Sequence, residues 1–338
     1  MARLSLRYRV ETHRLSAPFR ISGFTFETSD VVVAEIADGE FTGRGEAAGV
    51  YYLGDDSDHI VAEIEAHRAV VEDGADREEL RKLMPAGGAR NAIDCALWDL
   101  EAKREGTPAY RLAGIDQPKP LVTTFTLGAD EPEAMAEGAR RYASAKAIKV
   151  KLTGELELDI ARVQAIRSAR PDVWLGVDAN QGFTRDQLDP LANALIAHRV
   201  SLLEQPLARG READLEGYRS PVPIAADESA LTLDDVPGLV GRFDVINIKL
   251  DKCGGLTEAL MIAREAKGLG LGVMVGNMVG TSLAMAPAFI VGQHCDVVDL
   301  DGPTFLTADR EPSVEYRDGM IWSPDAVWGS RAAMPAAA

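Results

Sequence analysis

Val173-Trp-Leu-Gly-Val-Asp178-Ala-Asn180 is a short apolar run that stops at an acid. The same pattern returns at Ser201-Leu-Leu-Glu204-Gln-Pro206 and at Pro223-Ile-Ala-Ala-Asp227-Glu-Ser229. The acids are 26 residues apart (178 to 204) and then 23 (204 to 227), one strand plus one helix each time. Outward from these runs, apolar strand candidates alternate with amphipathic helical stretches at 121–127, 147–152, 173–178, 201–204, 222–227, 244–249, 271–275 and 295–299. Such alternation predicts a parallel sheet, and eight units predict closure into a barrel, with an open doubly wound sheet as the alternative. The first third differs. Residues 3–16 and 31–46 read as antiparallel strands, followed by helices over 57–72 and 88–104. Gly114-Ile-Asp-Gln-Pro-Lys-Pro120 blocks both regular structures and marks a boundary.

In a parallel barrel, equivalent strand ends lie side by side at the C-terminal mouth, so Asp178, Glu204 and Asp227 converge there. Three adjacent carboxylates repel one another unless a cation sits between them. Oxygen-only donors select a hard ion, here Mg²⁺. The competing reading, that each acid caps the following helix, suits one strand better than three in succession.

Lysines flank the acids. Ala147-Ile-Lys149-Val-Lys151-Leu152 puts two lysines on one strand face, because side chains two apart share a face. Burial and mutual repulsion are expected to lower their pKa values toward a usable base. Asp244-Val-Ile-Asn-Ile-Lys249 brings a third lysine from the sixth strand, across the barrel from the second. Lys151 and Lys249 on opposite sides of one carbon fit proton removal α to a carboxylate and its return from the other face, which is racemisation or epimerisation. Asp296-Val-Val-Asp299-Leu-Asp301-Gly-Pro303 places two more acids on one face at the mouth, suited to a cationic substrate group such as a peptide α-ammonium.

This ordered set resembles the enolase superfamily, in its muconate-lactonizing subgroup. The residues carrying the likeness are Lys149-Val-Lys151, Asp178-Ala-Asn180, Glu204-Gln-Pro206, Asp227-Glu-Ser229 and Asn247-Ile-Lys249-Leu-Asp-Lys252-Cys-Gly-Gly255. Leu83-Met-Pro-Ala-Gly-Gly-Ala-Arg-Asn-Ala-Ile-Asp-Cys-Ala-Leu-Trp-Asp-Leu100 resembles a capping-domain helix of the bacterial dipeptide epimerases, and Asp299-Leu-Asp301 their Asp-x-Asp signature. The resemblance implies a modified (β/α)7β barrel of the TIM type over residues 119–319. It also implies an α+β capping domain over 1–118, completed by residues 320–338. It further implies that Asp178, Glu204 and Asp227 bind Mg²⁺ and that Lys151 and Lys249 are the acid/base pair. Lys149 would hold the substrate carboxylate, and Asp299 and Asp301 the dipeptide ammonium. Thr126, on the first barrel strand, joins the expected substrate contacts.

The implied activity is epimerisation of L-Ala-D/L-Glu or a related dipeptide in murein peptide metabolism. Muconate cycloisomerase, o-succinylbenzoate synthase and N-succinylamino acid racemase are rivals on the same scaffold, and a non-catalytic metal-binding protein is a remoter one. Several Ala-Glu epimerases present a capping-loop arginine to the glutamate side chain. Here that loop reads Pro18-Phe-Arg20-Ile-Ser-Gly-Phe24-Thr-Phe26, with Phe24 where the arginine is expected. The second residue of the dipeptide therefore meets either Arg20 or an apolar Phe24–Phe26 surface. Gly49-Val-Tyr-Tyr-Leu-Gly-Asp-Asp56 is expected to form a second loop over the site.

Composition narrows the partners. With 53 acidic against 36 basic residues and a net charge of −17, the chain repels phosphate backbones and anionic lipid surfaces. Neither nucleic acid nor membrane is an expected partner, and a homo-oligomer is left open. Leu271–Val291 carries no charge, but it divides into a strand, a turn and the start of a helix, and Pro287 with the polar Asn277, Thr281 and Ser282 would be awkward in lipid. Three cysteines and an N-terminal stretch without a signal-peptide core lead to an expected cytoplasmic location.

Overall fold

The computed structural model describes residues 3–21 and 24–332, apart from the side chains of Ile21 and Phe24. A three-stranded antiparallel sheet opens the chain, from Ser5–Ile21, Phe24–Ala37 and Thr42–Ala47. The stretch 31–46, expected as strand, is interrupted at Asp38–Phe41. There Asp38 Oδ1 accepts the Glu40 and Phe41 amides, and Gly39 adopts φ 98°. The first two strands run past the expected ends to make a long antiparallel pair, bulged between Arg14 and Phe19 and still paired at Phe19–Phe26, Arg20–Thr25 and Ile21–Phe24.

Helices Ser57–Glu72 and Gly88–Glu105 match the predicted spans closely. The second is buried along nearly its whole length, because the sheet comes unusually close to it. A Cβ at Gly43 or Gly45 would lie 2.0 Å from the Ala96 or Ala92 carbonyl oxygen, so only glycine permits this approach.

Eight parallel strands then follow in order around a second sheet: Thr124–Leu127, Ala147–Lys151, Trp174–Asp178, Leu202–Glu204, Ile224–Ala226, Val245–Ile248, Gly272–Val275 and Val297–Val298. They are the first to eighth barrel strands below. The sheet curls into a nearly closed barrel whose first and last strands are joined by side chains. The Leu300 amide donates to Thr123 Oγ1, the Thr126 amide to Asp301 Oδ2, and the Thr124 hydroxyl to Asp299 Oδ1.

Two expectations are corrected. The run 121–127 is not one strand. Leu121–Val122 pairs antiparallel with Met320–Ile321, and the chain crosses into the barrel only after Thr123. Nor does a helix separate every pair of strands. Only a 3-10 turn, Glu212–Leu215, lies between the fourth and fifth, and another, Gly302–Phe305, follows the eighth. The architecture is the modified (β/α)7β barrel with an α+β cap. The uncharged run resolves into strand Gly272–Val275 and helix Ser282–Gly292, and among the described residues no helix is long and apolar enough to cross a membrane.

Buried polar links tie cap to barrel. Glu46, on the third cap strand, is fully buried and accepts the Thr281 amide and hydroxyl at the start of helix Ser282–Gly292. Arg310 closes the cluster, donating to Glu46 at 2.7 Å and to Glu11 at 2.7 Å. Removing one partner from a buried pair leaves an uncompensated charge. Arg310→Met is therefore expected to cost about 3 kcal/mol, measurable as a lower urea midpoint at unchanged slope.

Candidate active site

Strand register builds the site. Lys151 pairs with Asp178 and Asp178 with Glu204 across three neighbouring strands, so their side chains stand in one layer at the barrel mouth. Asp227 and Lys249 each follow the last residue of the fifth and sixth strands. One oxygen from each of Asp178, Glu204 and Asp227 lies within 4.8 Å of the others, and all three residues are buried. Lys149 donates to Asp299 at 2.8 Å and is ion-paired with Glu204 at 2.7 Å and Asp178 at 3.1 Å. Lys151 donates to Asp178 at 2.6 Å and Lys249 to Asp227 at 2.7 Å.

These contacts overturn one electrostatic expectation. Burial pulls Lys149 and Lys249 down, but the surrounding carboxylates outweigh it and hold both ammonium groups above the ordinary lysine range. The acids divide. Burial disfavours ionised Asp178 and Asp227, yet Lys151 and Lys149 lower the first, and Lys249 and Lys252 the second. Burial, and then the Asp178 charge, push Glu204 up to about 7.

Asp178, Glu204, Asp227, Glu228, Asp299 and Asp301 are buried with Lys149, Lys151, Lys249 and Lys252. The six acids exceed the four lysines by two negative charges when all are ionised. A buried cluster tolerates such an excess poorly, and a divalent cation cancels it. The trio of oxygen donors, their spacing and this charge balance all fit Mg²⁺.

At the opposite edge, Asp299 accepts from Lys149 and from the Thr124 and Thr126 hydroxyls. Asp301 accepts the Thr126 amide at 2.6 Å, and burial followed by the Asp299 charge pushes it to about 7. Thr126 thus touches both acids. Arg20 does not join them. Its side chain is 56% exposed at the hairpin tip and sits 4.0 Å from Asp130. The Phe24 side chain lies outside the described residues.

A cavity of about 360 Å³ opens between cap and barrel, with Lys151 and Lys249 both on its wall. The cap side is aromatic. Phe19 packs on Phe305 at 4.8 Å, Phe26 on Tyr51 at 5.3 Å, and Tyr51 on Tyr52 at 5.2 Å. The loop 49–56 therefore does reach the site. Further wall residues were not singled out from sequence, notably Glu228, Asn277 and Met278. Glu228 stands next to Asp227, so the available signal was a second acid at a strand end. Its Oε2, the Tyr52 hydroxyl and Asn180 Oδ1 are buried and have no hydrogen-bond partner among the described residues.

Residues 134–327 match the family model "Enolase C-terminal domain-like", and residues 5–114 match "Mandelate racemase / muconate lactonizing enzyme, N-terminal domain". The chain belongs to the mandelate racemase/muconate lactonizing branch of the enolase superfamily. It is 40% identical over 313 residues to the L-Ala-D/L-Glu epimerase of Escherichia coli (strain K12), covering 92% of this chain and 97% of that one. It is also 40% identical over 309 residues to an N-acetyl-D-glutamate racemase of a Pseudoalteromonas species, covering 88% and 95%. A crystal structure of an Agrobacterium tumefaciens enolase family member with homology to dipeptide epimerases, with bound sodium and L-Ala-L-Glu, overlays with TM-score 0.92 at 40% identity over 96% and 100% of the two chains. A dipeptide epimerase from Enterococcus faecalis V583, complexed with Mg and L-Leu-L-Tyr, overlays with TM-score 0.90 at 29% identity over 98% and 99%.

Proposed function

We propose that this protein is a Mg²⁺-dependent dipeptide epimerase acting at the α-carbon of the C-terminal residue. One observation carries the reading. Two lysines from opposite barrel strands, Lys151 and Lys249, face one cavity beside a trio of buried carboxylates. Asp178, Glu204 and Asp227 hold the ion, which when bound supplies positive charge to the substrate carboxylate. Lys149 orients that carboxylate. Lys151 and Lys249 exchange a proton with the α-carbon, one from each face, and the stereocentre inverts. Asp299 and Asp301 take the dipeptide ammonium, steadied by Thr126. Phe19, Phe26, Tyr51 and Tyr52 exclude water from above. The preferred substrate is L-Ala-D/L-Glu or a close relative, as in murein peptide metabolism. Arg20 and Phe24 are retained as candidate contacts to its second side chain.

We further infer a boundary near residues 118–119, with the C-terminal segment returning to the cap. Trp328 Nε1 donates to the Arg44 carbonyl and the Gly329 amide to Asp99, which supports that division. A cytoplasmic location belongs to the same reading.

A second reading, racemisation of an N-acylated amino acid, draws on the Pseudoalteromonas relative and on Asp299 being engaged by Lys149 and Thr124. The two readings separate in heavy water. L,L-dipeptides are expected to gain one mass unit at the α-carbon, and Asp301→Asn to slow that exchange about 100-fold, as for a charged hydrogen bond of ~2.5 kcal/mol. Exchange confined to N-acetyl or N-succinyl amino acids, untouched by Asp301→Asn, would move the assignment to the racemase.

A further inference from the structure

The proton chemistry leaves one buried ammonium without a task. The Lys252 side chain is completely buried, and it forms no part of the cavity wall. Leaving an ammonium in such a place requires partners for all three N–H donors. Lys252 has them: Asp227 Oδ1 at 2.6 Å, the Asp227 carbonyl at 2.6 Å and the Asn247 carbonyl at 2.9 Å.

These acceptors sit on the sixth strand, at Asn247, and just past the end of its neighbour the fifth, at Asp227. The fifth and sixth barrel strands pair at Ala225–Val245 and Ala226–Ile246. Beyond that point Lys252 bridges them, doing with one side chain what backbone pairing no longer does. The local sequence explains its reach. Lys249 starts a single helical turn, Leu250–Cys253, which Gly254 closes at φ 76°. Three residues of tight turn swing Lys252 back to the end of the sixth strand, where its ammonium reaches the Asn247 carbonyl.

The consequence falls on Asp227. Its Oδ1 is tied down by Lys252, which leaves Oδ2 for Lys249 at 2.7 Å. Its amide is fixed by Gln205 Oε1. Lys151, by contrast, is held by Asp178. Lys252 has no contact with Asp178 among its hydrogen bonds and ion pairs in the described residues.

We propose that Lys252 is a positioning residue for Lys249. By locking the Asp227 carboxylate, it fixes the Lys249 amine against one face of the substrate α-carbon and leaves the opposite face to Lys151. The inference rests on the two-lysine reading above and adds an asymmetry to it. A residue that merely supported the barrel would weaken both faces alike.

The test follows α-carbon deuteration in heavy water from each epimer separately. Lys249→Met identifies the face that depends on Lys249. Because Asp227 is also one of the three metal ligands, exchange is read at Mg²⁺ raised until it no longer increases. Lys252→Met is then expected to slow exchange on that same face about 100-fold and the other face less than about threefold, the scale of a misplacement near 1 Å. Equal losses on both faces, or no loss, would overturn the proposal. A crystal structure of the variant gives a readout independent of turnover. Asp227 is expected to rotate and to lose its 2.7 Å contact with Lys249, and a retained contact overturns the proposal. Lys252→Gln, uncharged but still able to donate to the two carbonyls, serves for both measurements if the methionine variant does not fold. If the unaltered enzyme exchanges no α-proton, the two-lysine reading itself fails, and the crystallographic contact still decides whether Lys252 holds Asp227.

Discussion

Lys151→Met and Lys249→Met are each expected to abolish interconversion of epimers, by about 1,000-fold or more, while one face of the α-carbon still exchanges. Inversion needs a base on one side and an acid on the other. The second and sixth barrel strands stand four apart in a run of eight, which is the arrangement that puts two side chains across a bound carbon. Each amine has its own carboxylate, Asp178 for Lys151 and Asp227 for Lys249, at 2.6 and 2.7 Å, so losing one leaves the other in place. Each variant should therefore deuterate only the epimer whose proton points at the surviving lysine, and the two variants should choose opposite epimers. The measurement is mass shift from each pure epimer in heavy water, beside optical rotation for net inversion. A variant that still inverts, or two variants that exchange the same epimer, would place both lysines on one side and remove the basis for the mechanism.

The parts of this site that sequence revealed are those set by local periodicity. Lys149 and Lys151 share a face because a strand repeats every two residues. Asp178, Glu204 and Asp227 align because one strand-and-turn unit separates each pair, even where the connecting helix is replaced by the Glu212–Leu215 turn. The uncharged run around Pro287 was readable as strand plus helix for the same reason. What escaped depends on contacts between distant segments. Lys149 is held above rather than below the ordinary lysine range because repulsion between sequence neighbours is legible locally, whereas Glu204 and Asp299, which approach it from other strands, are not. Arg20 follows from its place in the loop as a candidate substrate contact, whereas the exposure of its side chain and its place 4.0 Å from Asp130 depend on how the hairpin packs against a distant segment. The break at Thr123 follows from a partner strand, Met320–Trp322, nearly two hundred residues away, which no local pattern announces.

Chelation of Mg²⁺ is expected to abolish exchange, and Glu204→Gln to lower it about 100-fold or more at any practical Mg²⁺ concentration. The stability data should run the other way, which makes the prediction sharper. Glu204 is buried beside Asp178, and its carboxyl is pushed from an ordinary 4.5 up to about 7. A folded-state pKa raised above the unfolded one means that the folded state binds the extra proton. The Glu204 contribution to stability without the cation is therefore fully present below about 4.5 and is lost as pH rises through about 7, where the glutamate ionises inside the fold. Glutamine carries no such charge, so above pH 7 and without Mg²⁺ the variant should melt no lower than the unaltered protein. Adding Mg²⁺ should reverse the order. The unaltered protein gains about 2.7 kcal/mol at a hundredfold excess over Kd, and the variant gains little. Calorimetry at pH 8 with and without Mg²⁺ measures both halves. Equal Mg²⁺-induced shifts in the two proteins would show that Glu204 does not hold the ion, and the two surplus charges of the six acids over the four lysines would then need another explanation.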